Sequence, residues 1–257
     1  MSSRLKDKIT ILQNFILGIS AKGEPDTNNV KINHLKSDRG LICTSKVFGD
    51  CRAIVNFKST HNVATIRSLY SNAYKDLIFY NIVDGPDFHW AKVTLDLLKH
   101  VETPYVFFLT EDRMFHQTTR DEFNEVMEEV VKNDIGFMSI TKLWKYSGSA
   151  NPPAISSSRL PYLDNDNHIY TYHVKNSPYP CVSVDSIFRK DILEKCLQYV
   201  IDSDLKAGYT WNIPHTLEMH GNWLSKIDPE LLCAVPKREI TVSDDDPGHS
   251  LGTIDND

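Results

Sequence analysis

The chain has 257 residues, 41% hydrophobic and 24% charged, a normal content for a soluble globular protein and enough for one large core or two small ones. The formal net charge of −6 at pH 7 speaks against a nucleic-acid binder, which carries a basic stripe. No apolar stretch approaches the roughly 20 residues of a membrane span, and the five cysteines form no C-x-x-C pair that would point to a zinc ribbon or a redox motif.

Residues 1–50 read as an amphipathic N-terminal helix followed by an irregular or edge-strand extension. A signal peptide is disfavoured, because Gln13 and Asn14 interrupt the apolar run that starts at Ile9 and no cleavage site follows. With scattered thiols expected to be reduced, a cytoplasmic protein is the expectation. The regular pattern begins at Cys51. Residues 52–57 predict a strand. Val63, Ile66, Leu69, Tyr70 and Ala73 recur at helical spacing over 61–73. Residues 76–83 predict a second strand, closed by Asp84-Gly85-Pro86-Asp87. A helix over 90–100 and a strand over 105–109 follow. Phe123, Val126, Met127, Val130 and Val131 predict a helix over 121–132, and residues 135–140 a fourth strand.

This alternation implies right-handed crossovers and a mostly parallel central sheet flanked by helices, an α/β, Rossmann-like architecture. Residues 145–180 break the rhythm with Ser, Pro, Asn and Tyr and read as a long binding loop. A short strand at 181–184, helices at 189–201 and about 213–225, and a last strand at 231–235 complete the pattern. The expected organisation is an extension over 1–50, one α/β domain over 51–243 with halves at 51–140 and 141–243, and an acidic tail over 244–257.

The phosphate-binding signatures G-x-G-x-x-G and G-x-x-x-x-G-K-[ST] are missing, and so is the nucleophile elbow G-x-S-x-G. What remains is a set of acids at strand ends. Asp84 and Asp87 follow the second predicted strand, and Glu111 and Asp112 follow the hydrophobic run 104–109. Ligands of open α/β sheets bind in the crevice outside these ends. Two carboxylates there suit a divalent cation held against a phosphate, with a solvated strand terminus as the plain alternative.

In this order of elements the chain resembles the GT-A glycosyltransferases, in particular inverting, family 2-like enzymes. The resemblance covers roughly residues 51–225. It implies a nucleotide-diphosphate sugar as donor and a glycan or other hydroxyl as acceptor. The segment Val55-Asn56-Phe57-Lys58-Ser59 would end the first strand, with Phe57 at the nucleotide. Asp84 and Asp87 would hold the nucleoside. Thr110-Glu111-Asp112 would occupy the D-x-D position that holds Mn²⁺ or Mg²⁺ on the diphosphate, with Arg113 adding positive charge or pairing with Asp112. Thr110 stands where the family carries an acid.

The second half extends the resemblance. Ser183-Val-Asp-Ser-Ile-Phe-Arg-Lys-Asp191 is similar to the acceptor-side turn into a helix, where Asp185 would face the donor sugar. Pro214-His-Thr-Leu-Glu-Met219 falls where an E-D motif supplies the catalytic base, with Met219 in place of its second acid. Glu218 is the candidate base and Asp185 its competitor. His249 is a candidate extra metal or diphosphate ligand. Aromatic residues over 142–180 suit either an acceptor platform or the pinning of a loop. Two further readings stay open: a non-catalytic nucleotide-sugar or carbohydrate-binding module, and a nucleotidyltransferase, for which Phe57-Lys-Ser-Thr-His lacks the glycines.

Overall fold

A computed structural model describes residues 4–16, 35–36, 41–58, 63–82, 89–109, 113–114, 118–140, 166–176, 186–202, 223–238, 240 and 242–243. A single helical turn, α1 (Leu5–Lys8), runs straight into strand β1 (Ile9–Ile16). Helix α2 (Leu41–Phe48), strand β2 (Arg52–Lys58), helix α3 (Val63–Ala73) and strand β3 (Asp76–Tyr80) follow. Then come helix α4 (Trp90–Leu98), strand β4 (Tyr105–Phe108) and the two-residue strand β5 (Arg113–Met114). Helix α5 (Arg120–Lys132) leads to strand β6 (Phe137–Ser139). The second half holds strand β7 (Ile169–His173), strand β8 (Ser186–Arg189), helix α6 (Lys190–Asp202), helix α7 (Trp223–Ile227), strand β9 (Leu232–Pro236) and strand β10 (Val242–Ser243).

Eight strands form one sheet in the order β3-β2-β1-β4-β8-β6-β9-β7. Strands β3, β2, β1 and β4 are parallel, as the alternation of elements predicts. Beyond β4 the sheet is mixed: β8 runs antiparallel to both β4 and β6, β6 is parallel to β9, and β7 closes the far edge antiparallel to β9. Helices cover both faces, which gives a mixed α/β, GT-A-like architecture.

Three expectations change. The run from Ile9 is not a helix but β1, which sits inside the sheet between β2 and β4. The regular pattern thus starts at Ile9, and each strand end shifts by one: Asp84 and Asp87 follow the third strand of the sheet, Glu111 and Asp112 the fourth. Within the segment read as one long loop, Ile169–His173 is a strand. Its alternating partner is β9, with Tyr172 opposite Cys233. Of the helix expected over 213–225, the described part is Trp223–Ile227, and the strand expected at 181–184 lies outside the described residues.

The period of two in the strands divides the core into two layers. Ile9, Ile11, Val55, Phe57, Phe107, Leu109 and Met138 face α2, α3 and α5, where Phe48 meets Phe107 and Phe123 edge-on. Leu12, Ile54, Val106, Phe108, Phe137 and Phe188 face α4, α6 and α7, where Trp90, Leu97, Leu193 and Leu197 close the layer. Helix α5 begins with a capping box, in which Thr119 accepts the Glu122 N–H and Glu122 accepts the Thr119 N–H at 2.8 Å. It ends with Asp134 at φ 50° and with Ile135 N–H on Val130 O and Asp134 N–H on Val131 O, a Schellman stop.

Candidate functional site

Strand order reverses between β1 and β4: β2 and β3 extend the sheet to one side of β1, and β4 lies on the other. The crevice outside the carboxyl ends of such a switch point is where open α/β sheets bind ligands. Here it is bounded by the ends of β1, β2 and β4 and by the start of β8. Because β8 is antiparallel to β4, with Ser186 opposite Phe108, the chain entering β8 starts beside the chain leaving β4. Leu109 extends the β4 end, donating its N–H to Leu12 O at 3.1 Å.

The side chains of this edge turn from apolar to polar within one step along the strands. Leu12 and Ile54 pair at one level; two residues on, Asn14 pairs with Asn56. Both asparagines are buried, at 4% and 0% exposure. Asn56 Nδ2 donates to Asn14 Oδ1 at 2.9 Å, and Asn14 Nδ2 donates to Thr94 Oγ1 of α4 at 2.7 Å. The Thr94 hydroxyl donates to Trp90 O at 2.8 Å, and the Trp90 indole Nε1 donates back to Asn14 O at 3.1 Å. At the other end Asn56 Oδ1 accepts the backbone N–H of Ile82 at 2.9 Å. An N–H can only donate, so this last bond fixes which atom of the Asn56 amide is the oxygen.

These bonds hold Ile82 on Asn56 of β2 and Trp90 on Asn14 of β1. Asp84 and Asp87 lie between these two residues in sequence. His89, at the entry to α4, is half-buried; burial and then the nearby Lys92 hold its imidazole below the ordinary value. It is therefore neutral at pH 7. No side-chain cap bond of His89 to the first turn of α4 is formed.

A second feature gathers the C-terminal segment to the same edge. Strands β5 and β10 form an antiparallel ribbon, with Ser243 opposite Arg113 and Val242 opposite Met114. Thr118 Oγ1 donates to Ile240 O at 3.1 Å and ties the same two segments together. In sequence, Asp112 directly precedes Arg113, and Asp244-Asp245-Asp246 follows Ser243. At the start of β8, Ser186 Oγ is buried with no hydrogen-bond partner among the described residues, directly after Asp185.

The sequence-derived site residues fall as follows. Asp84, Asp87, Glu111, Asp112, Asp185, Glu218 and His249 lie outside the described residues. For all of these but Glu218 and His249, a described neighbour within two residues fixes the strand or helix end from which the chain departs. Arg113 is described in its backbone, in the ribbon. Phe57 is fully buried and stacks on Phe79 at a centroid distance of 6.5 Å. A side chain with no exposed surface touches no nucleotide, so Phe57 is a core residue of the α3 side. Asn14, Asn56 and Thr94 escaped the sequence reading. The only signal was two polar residues interrupting apolar runs. Among the described residues no group of three or more His, Cys, Asp or Glu is gathered to hold a metal ion. No helix among them is long and apolar enough to cross a membrane.

No family model matches the chain, and no curated protein matches it by sequence. Solved structures do. The chain is similar to the S. aureus TarS 1–349 structure at a TM-score of 0.55 and 13% identity, covering 92% of this chain and 60% of that one. The same protein in complex with UDP superposes at a TM-score of 0.51 and 13% identity, over 91% and 59% of the two chains. Longer TarS gives a TM-score of 0.51 at 12% identity, over 92% of this chain and 36% of that one. This chain thus spans about three fifths of TarS 1–349. At such identities the likeness shows the fold alone, a GT-A-like α/β fold.

Proposed function

We propose that the chain is a glycosyltransferase that moves a sugar from a nucleotide-diphosphate donor to a hydroxyl of a glycan or other acceptor, with inversion at the anomeric carbon. The observation that carries this reading is the switch point. In sequence, acids follow β4 and precede β8, whose described ends lie side by side, and Ile82 and Trp90, which flank Asp84 and Asp87, are held on Asn56 of β2 and Asn14 of β1. The TarS fold, one of whose structures holds UDP, is consistent with a nucleotide at this edge.

In this reading Asp84 and Asp87 accept hydrogen bonds from the nucleoside, and the carboxylates of Glu111 and Asp112 with His249 hold Mn²⁺ or Mg²⁺. The two carboxylates offer the hard oxygen donors that suit either ion. The cation, when bound, would offset the charge of the departing diphosphate. Glu218, or Asp185 in its place, removes the proton of the acceptor hydroxyl as that oxygen attacks the anomeric carbon. The bond to the diphosphate breaks as the new glycosidic bond forms.

Thr110, in place of a first acid, favours a second reading: a module that binds nucleotide sugars without turning them over. Calorimetry with UDP- and GDP-sugars, with and without Mn²⁺, followed by a product assay over an acceptor panel, separates the two. Binding with product formation supports the enzyme. Binding without product across the panel favours the module, and no binding removes both.

A further inference from the structure

We draw no further inference here: the strongest candidate, the Ser186 hydroxyl at the start of β8, is fully buried without a hydrogen-bond partner among the described residues, and nothing in the structure shows what it would bind.

Discussion

The carboxylate of Glu129 accepts the backbone N–H of His168 at 2.9 Å, and with it those of Asn167 at 2.9 Å and Ile169 at 3.1 Å. One side chain of α5 thus collects three successive amides at the entry to β7. Asp166 reinforces the clasp, taking bonds from Lys132 and Asn133 of the same helix end. The strand the sequence hides is held to the helix the sequence announces.

Glu129→Ala is expected to destabilise the protein by about 2–3 kcal/mol, since three charge-assisted bonds to backbone are lost together. In a chain of this length that lowers the melting temperature by about 4–12 °C. Glu129→Gln keeps two acceptor lone pairs and should lose less. Thermal unfolding of the three proteins checks the order. Equal melting of Ala and parent forms would mean that the amides find water as readily as the carboxylate.

Glu122 gives a pH dependence with a definite sign. The Thr119 N–H, and then the Thr119 hydroxyl, hold its carboxyl below the ordinary value of 4.5. A folded value below the unfolded one means that the contribution is complete above about pH 4.5 and is lost as pH falls through the folded value. Chemical denaturation of Glu122→Gln against the parent should therefore show a gap at neutral pH that closes in acid. A gap that persists at the lowest pH at which both fold would place the effect in packing and not in the capping box.

Thiol chemistry follows burial. Burial, and then the Asp50 charge beside it, pushes the Cys51 thiol up to about 12, and burial alone pushes Cys196 up to about 12. The thiolate is the reactive form, so neither reacts at pH 8 while the core is closed. Among the described cysteines Cys43, half-buried on α2, is expected to label first with a maleimide, and Cys51 and Cys196 only at the rate of unfolding. Peptide mapping of a labelling time course separates them. Early labelling of Cys196 would mean that α6 opens away from α4.

Within the proposed function, Asp112→Asn is expected to reduce transfer by at least about a hundredfold, because the amide cannot supply a charged ligand to the cation. The melting temperature should stay within about 2 °C, since Asn keeps the size of Asp. Transfer assays across a Mn²⁺ titration check this. Parent-like activity with unchanged metal dependence would remove Asp112 from the cation and return it to the solvated strand end.

How far the molecule could be read in advance depended on the kind of order each part carries. Local periodicity marks α3, α4 and α5 plainly: Phe123, Val126, Met127 and Val130 recur at helical spacing, and all four are buried. From these the alternation β2 to β6 follows. Strand β1 did not announce itself, because it is buried on both faces between two parallel neighbours. Its Ile9, Ile11 and Leu12 suit an apolar helix stripe as well as a strand. Its adjacent polar residues Gln13 and Asn14 looked like interruptions and are buried at 2% and 4% exposure. Strand β7 was hidden in a Ser- and Pro-rich stretch, and its partner β9 lies about sixty residues on. The acids were visible as residue types. The Asn14–Asn56 pair was not, because it joins positions 42 apart through a register that only the assembled sheet defines.

Glu218→Gln tests the role on which the mechanism turns. Glutamine keeps the size and a carbonyl acceptor of glutamate but cannot take a proton at neutral pH. If Glu218 is the base, turnover should fall by roughly a hundred- to ten-thousandfold while the dissociation constant for the donor stays within about threefold. The loss then sits in kcat and not in donor binding, because the deprotonation it serves develops in the transition state. Asp185→Asn is the matched comparison, since that residue departs from the start of β8 beside the end of β4. Should Asp185→Asn carry the loss in kcat and Glu218→Gln none, the base belongs to the switch point itself. Lost donor affinity in Glu218→Gln would instead give that carboxylate a binding role.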